Sequence, residues 1–168
     1  NLKKKYHNIR YIIAGEGEER QYLESLASSL NISKNVMFIG SVNDGQKKFI
    51  LNRTNLMIMP TLDESKKLSI EGFGITYIEA ALFGIPSIAS NVGGAKEAVL
   101  HNETGIIIDS LDKLENAISN LIENNIKMIE LGEKAKKRAK NQLSWTNIIK
   151  DYNKLILRLK YNVYPFLL

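Results

Sequence analysis

Cysteine is absent from this sequence of 168 residues. Disulfides, thiolate metal sites and cysteine nucleophiles are therefore excluded. Histidine occurs twice, at His7 and His101, and their separation argues against a histidine-rich metal site. No apolar run approaches the roughly 20 residues needed to span a bilayer. Asn1, Leu2, Lys3, Lys4 and Lys5 have no apolar stretch behind them, so a secretory signal is not expected in this stretch. A cytoplasmic location is expected.

Charge is modest. The formal net charge is +5, with apolar residues at 44% and charged residues at 24%, ordinary values for a globular chain of one-domain length. The densest basic cluster is Lys134, Lys136, Lys137, Arg138 and Lys140. It reads as the solvated face of a helix, and no aromatic residues interleave with it to stack bases. Nucleic acid is therefore not an expected partner. A mildly basic chain does suit anionic ligands, and it admits peripheral association with the anionic inner face of a membrane.

What is present is an alternation of short apolar runs and helical periods. The apolar runs 9–14, 36–39, 56–59, 86–89 and 105–108 predict strands. Helices are predicted over 18–30, 45–52, 74–83 and 95–100, and from 111 to about 160 with breaks near Asn124 and Ser144. Residues 1–8 read as the end of a helix running into a strand. Fully apolar strands alternating with helices predict a doubly wound α/β fold, a parallel sheet covered on both faces. Such sheets bind ligands at the carboxyl ends of their strands.

The loop after Met59 leads to the segment with most chemistry, Glu71-Gly72-Phe73-Gly74-Ile75-Thr76-Tyr77-Ile78-Glu79-Ala80. Gly72 and Gly74 permit close backbone approach. The first N–H groups of the helix that follows have no partner inside it and form a natural phosphate cradle. Glu71 stands before the cradle and Glu79 about a turn and a half inside it. Two carboxylates flanking a phosphate can hold the hydroxyls of sugars on either side, which outlines a nucleotide-sugar site. Either glutamate alone reads more simply as a solvent-facing residue favoured near a helix start; it is the combination with the glycines that carries the inference.

The order of the blocks is also familiar. Glu71 to Glu79 form a glutamate–seven residues–glutamate signature. Ala80-Ala81-Leu82-Phe83-Gly84-Ile85-Pro86 is a small-residue helix ending in Gly-x-Pro. Gly93-Gly94-Ala95-Lys96-Glu97 and Asn102-Glu103-Thr104-Gly105 follow. Together they resemble the C-terminal, donor-binding domain of the retaining GT-B glycosyltransferases of group 1, or family 4, across nearly the whole chain. The resemblance implies a Rossmann-like C-terminal half of a GT-B fold lacking its first strand. Over 1–168 it implies a fragment of a larger enzyme, whose helices in 144–168 would cross to an N-terminal domain.

It also implies roles. Glu71 would hydrogen-bond the donor sugar and orient its anomeric carbon. Backbone N–H groups around Phe73, Gly74 and Ile75 would receive the diphosphate, with Gly72 beside them in the donor site, and Glu79 would bind the ribose. The segment from Gly40 to Lys47 matches the base-binding loop, with backbone near Val42 meeting the base and Lys47 reaching a phosphate or the base; a solvated lysine is an equal reading. Gly93 and Gly94 would line the sugar pocket with backbone, although a plain turn explains them nearly as well. Gly15-Glu16-Gly17-Glu18-Glu19-Arg20 fails as a dinucleotide fingerprint, because Arg20 replaces the last glycine and three glutamates would repel a pyrophosphate. Gly15 and Gly17 still stand where a loop borders the donor site in the family. Glu97, His101 and Trp145 read as structural, Trp145 as core.

The implied reaction moves a sugar from a UDP- or GDP-sugar to a hydroxyl acceptor with retained configuration, without metal or cofactor, the leaving phosphate helping to deprotonate the acceptor. The isolated fragment is expected to be inactive and, through its apolar tail, to self-associate. A sugar-nucleotide 2-epimerase, or a non-catalytic nucleotide-sugar binding module, are the alternatives.

Overall fold

The computed structural model describes residues 1–61 and 72–162, with side chains described as far as Leu159. The chain divides into two compact units, residues 1–54 and 55–168.

The first unit contains α1 (Leu2–Lys5), β1 (Tyr11–Ala14), α2 (Arg20–Ser29), β2 (Val36–Gly40) and α3 (Asp44–Leu51). β1 and β2 pair in parallel, Tyr11 opposite Val36 and Ile13 opposite Phe38, with a register shift before Ala14. Asn35 locks the start of this ladder. It is buried, its carbonyl accepts from the Tyr11 N–H at 2.8 Å, and its amide donates to the Ile9 carbonyl at 2.9 Å. α3 starts on a capping box: the Asn43 side chain accepts from the Gln46 N–H and the Gln46 side chain from the Asn43 N–H, each at 2.9 Å. This reciprocal pairing satisfies two donors that a helix start leaves orphaned.

The second unit contains β3 (Met57–Met59), α4 (Ile75–Leu82), β4 (Ser87–Ser90), α5 (Ala95–Ala98), β5 (Gly105–Ile108), a 3-10 turn (Leu111–Lys113), α6 (Leu114–Glu123), α7 (Asn125–Asn141) and α8 (Trp145–Asn162). Its strands form a parallel ladder in the order β3-β4-β5. Met59, Ala89 and Ile107 stand in register, so their side chains share one face. On that face Ala89 clusters with Tyr77 of α4 and with Ala95, Ala98 and Val99. Ile88, Ile106 and Ile108 alternate onto the other face, and α6, which buries Ile118 and Leu121, contacts β4 and β5. α7 packs along α4.

Every strand pairing is parallel, as the alternation of runs predicts, in two ladders rather than one among the described residues. Burial on both faces holds for β4, whose residues are all buried, because it is the central strand of its ladder. It does not hold for β1, where Tyr11 and Ile12 are exposed: in a two-stranded ladder every strand is an edge. The predicted helix break near Asn124 is a cap, with the Asn124 side chain accepting from the Lys127 N–H at 2.9 Å. Trp145 is a correction. It is not core but 77% exposed, because it opens α8, in which every residue from Ile149 to Leu159 is exposed. The apolar tail 163–168 on which self-association rests lies outside the described residues.

Candidate functional site

In each unit the predicted residues stand at or beyond the carboxyl ends of strands. Glu71, the residue expected at the sugar, lies outside the described residues.

In the first unit, two loops meet. The Gly15 N–H donates to the Gly40 carbonyl at 2.8 Å. Gly40 closes β2 at φ +68, a conformation that side chains rarely adopt, and a Cβ there would meet the end of the Glu16 side chain. That carboxylate is not left facing the loop uncompensated. Arg20 holds it at 2.8 Å and Glu24 at 2.9 Å, and also donates to the Phe38 carbonyl at 3.3 Å. Hydrogen bonds to Glu24 and then to Glu16 raise the Arg20 guanidinium further above its ordinary value. The arginine that breaks the dinucleotide fingerprint thus tethers the first of the three glutamates. Gly17 accepts from the Arg20 N–H at 3.2 Å at the entry to α2. Val42 lines an apolar groove of about 520 Å³ with Ile12, Met37, Ile39, Phe49 and Ile50. Its apolar lining suits the face of a planar heterocycle. Lys47 is half-buried on α3, its ammonium 3.6 Å from the Asp44 carboxylate.

In the second unit, Gly74 caps α4 in the left-handed conformation, φ +78 and ψ +62, and offers no capping side chain. The conformation demands glycine, and so does the space, because a Cβ would run into the Tyr77 ring. Tyr77 is fully buried. Its hydroxyl donates to the Met59 carbonyl, the last of β3, at 2.5 Å. One side chain thereby fixes both the end of the strand and the start of the helix. Gly72 and Ile75 are exposed, Phe73 is half-buried, and Phe73 packs against the cluster of Tyr77 and Ala95. Glu79 is half-buried. It stands four positions after Ile75, on the same helix face, and its Cα–Cβ bond leans toward the helix N-terminus.

Gly93 (φ +55) and Gly94 precede α5. A Cβ on Gly94 would overlap the carbonyl of Gly72 and come within 3.2 Å of the Phe73 Cα. The Gly93-Gly94 segment therefore lies backbone to backbone against the segment that enters α4. Gly72, Phe73, Gly93 and Gly94 come together in this way, directly before Gly74 and the start of α4, with Glu79 a turn further along the helix. Backbone packed beside a helix N-terminus is suited to an anion.

Two residues were not singled out by sequence. Tyr77 is signalled only by its place three positions after Gly74 in a helix otherwise rich in small residues. Arg138 belongs to the basic cluster read as solvated, and here that reading is corrected. It is half-buried, and its two Nη atoms donate to the carbonyls of Ala98 at 2.7 Å and Glu97 at 2.6 Å. Burial lowers its guanidinium from the ordinary value, against the opposing charge of Glu103. His101 is structural as expected: its Nδ1 accepts from the Ile107 N–H at 2.9 Å.

Comparison with known proteins supplies the context. The family model of the glycosyl transferases group 1 matches residues 1–142. A GDP-mannose-dependent alpha-(1-6)-phosphatidylinositol monomannoside mannosyltransferase of Mycobacterium tuberculosis is 27% identical over 150 residues, 88% of this chain and 39% of that protein. An uncharacterized glycosyltransferase of Methanocaldococcus jannaschii is 30% identical over 147 residues, 86% of this chain and 36% of that one. The chain thus spans well under half the length of these relatives. Among solved structures, sucrose-phosphate synthase from Thermosynechococcus elongatus superposes with a TM-score of 0.75 at 25% identity, over 92% of this chain and 39% of that one. HepE from Anabaena, solved with UDP and glucose, gives 0.73 at 23% identity, over 89% and 40%. These neighbours share the Rossmann-like architecture of the GT-B C-terminal half. With most of its length matched by one family model and its glycine-lined helix start in place, the chain belongs to the glycosyl transferases of group 1.

Proposed function

We propose that this chain is the donor-binding part of a retaining glycosyltransferase, one that moves a sugar from a UDP- or GDP-sugar to a hydroxyl acceptor. The observation that carries the reading is the α4 N-terminus: Gly74 in the left-handed conformation without a side-chain cap, with the Gly93-Gly94 backbone laid against Gly72 and Phe73. Amides there receive the diphosphate. As the glycosidic bond breaks, charge grows on the leaving phosphate, and fixed N–H dipoles stabilise it more than they stabilise the ground state. Glu79 binds the ribose hydroxyls and Glu71 the sugar. The leaving phosphate takes the acceptor proton on the same face, and no metal is required. Relatives named for GDP-mannose and a neighbour solved with UDP support a nucleotide-sugar donor and leave the choice of nucleotide to experiment.

The test uses the full-length protein. Offered UDP-, GDP- and ADP-sugars with a hydroxyl acceptor, it should release nucleotide diphosphate and form a glycoside of unchanged anomeric configuration. An epimerised donor, or binding without any turnover, would sink the proposal. Glu79→Ala should weaken nucleotide affinity roughly tenfold, the loss of a charge-assisted pair of hydrogen bonds. Calorimetry showing unchanged affinity would remove its ribose role.

A further inference from the structure

Arg138 lies on α7, remote in sequence from every glycine and glutamate of the donor site, yet it ends on the element that directly follows two of those glycines. α5 is a single turn, Ala95–Ala98. Helix ends leave their last carbonyls without partners, and so short an element relies on contacts from outside it: Ala95 and Ala98 are buried against Ala89 and Tyr77. Its C-terminal carbonyls, Glu97 and Ala98, receive the two arms of the Arg138 guanidinium at 2.6 and 2.7 Å. The rigid planar fork suits this two-point grip in a way an ammonium cannot reproduce. At its other end α5 begins directly after Gly94, whose backbone touches Gly72 and Phe73. One turn of helix thus stands as a strut between Arg138 and the backbone that enters α4.

α7 is a firm base for this grip. Leu131, Gly132, Ala135 and Ala139 are buried on it. Gly132 meets the Gly84 carbonyl, just past the end of α4, so closely that a Cβ would overlap it. The two elements that shape the donor site, α4 and the Gly93-Gly94-α5 strut, are therefore both braced on one helix. α4 is held by backbone contact, and the C-terminal end of α5 by the Arg138 fork in addition to its buried alanines.

We infer that Arg138 is a positioning residue for the sugar half of the donor site, acting through α5 on the Gly93-Gly94 backbone. The inference rests on the proposed nucleotide-sugar reading of that site. It predicts a selective effect. Losing the fork loosens the C-terminal end of the strut and lets the sugar-facing glycines shift, while α4 remains held by its own contact with α7. Affinity for the intact nucleotide sugar falls, and affinity for the free nucleotide diphosphate does not.

The experiment measures both affinities by calorimetry on the full-length enzyme, with GDP-mannose against GDP and UDP-glucose against UDP. Arg138→Met keeps the aliphatic stem and removes the donors. It should lower nucleotide-sugar affinity roughly tenfold, the scale of one hydrogen bond to the sugar lost when the backbone shifts, and leave nucleotide affinity unchanged. Arg138→Lys, with one compact donor group, should recover part of the loss, and it serves alone if the Met variant does not fold. Equal losses for sugar and nucleotide would mean a merely structural arginine and overturn the inference, as would wild-type affinities in both variants. If the wild type binds nucleotide but no nucleotide sugar, the donor reading itself fails and the inference falls with it.

Discussion

Gly94→Ala in the full-length enzyme is expected to cost about 3 kcal/mol of stability, the upper range for forcing one extra carbon into a packed site, together with most of the activity. A Cβ at this position overlaps the Gly72 carbonyl and presses on the Phe73 backbone. Neither neighbour is a flexible side-chain end that can swing aside. The backbone of one segment must retreat from the other, and each carries groups expected to face the donor. A displacement near 1 Å at a positioned group lowers turnover by roughly a hundredfold. The backbone dihedral gives no such objection, because Gly94 sits at φ −83 and ψ +3, open to any residue. The effect is therefore one of space, and Gly94→Val should be worse than Gly94→Ala. A thermal melt and kcat/KM within experimental error of the wild type would show that the two segments do not need this contact.

Glu71→Ala should reduce turnover by a factor of about 100 to 1000, the scale of removing one preorganised polar group that acts on the transition state. Nucleotide affinity should be nearly unchanged. The two arms separate because a carboxylate that orients the sugar ring makes its best contacts as the anomeric carbon loses its leaving group. A carboxylate that merely held the nucleotide would make equal contacts before and during the reaction. Glu71→Gln keeps the acceptor oxygen and shape but not the charge, and should fall between wild type and alanine. Turnover within a few fold of wild type in Glu71→Ala would remove the glutamate from the chemistry altogether.

Much of the architecture can be read from the chain, and the exceptions have physical reasons. Strands announce themselves because runs such as Ile106, Ile107 and Ile108 exceed what an exposed segment carries. Gly74 marks a helix start by its neighbours alone. Gly94 is different: whether a Gly-Gly pair is a plain turn or a contact with another segment depends on what lies opposite, and Gly72 lies more than twenty residues earlier. Arg138 was hidden for a related reason. Five basic residues within seven positions look equivalent in sequence, but a helix turns them in different directions, and the one beside Ala135 and Ala139 points inward. Trp145 misled in the opposite sense. An aromatic residue is a good guess for a core, but the whole exposed run of α8 shows that burial belongs to elements before it belongs to residues.

Tyr77 has one further consequence. Its hydroxyl grips Met59 before the stretch that leads to α4, and its ring sits beneath Gly74 after that stretch. The end of β3 and the start of α4 are thereby riveted by one aromatic side chain, so a disturbance at either is felt directly at the other.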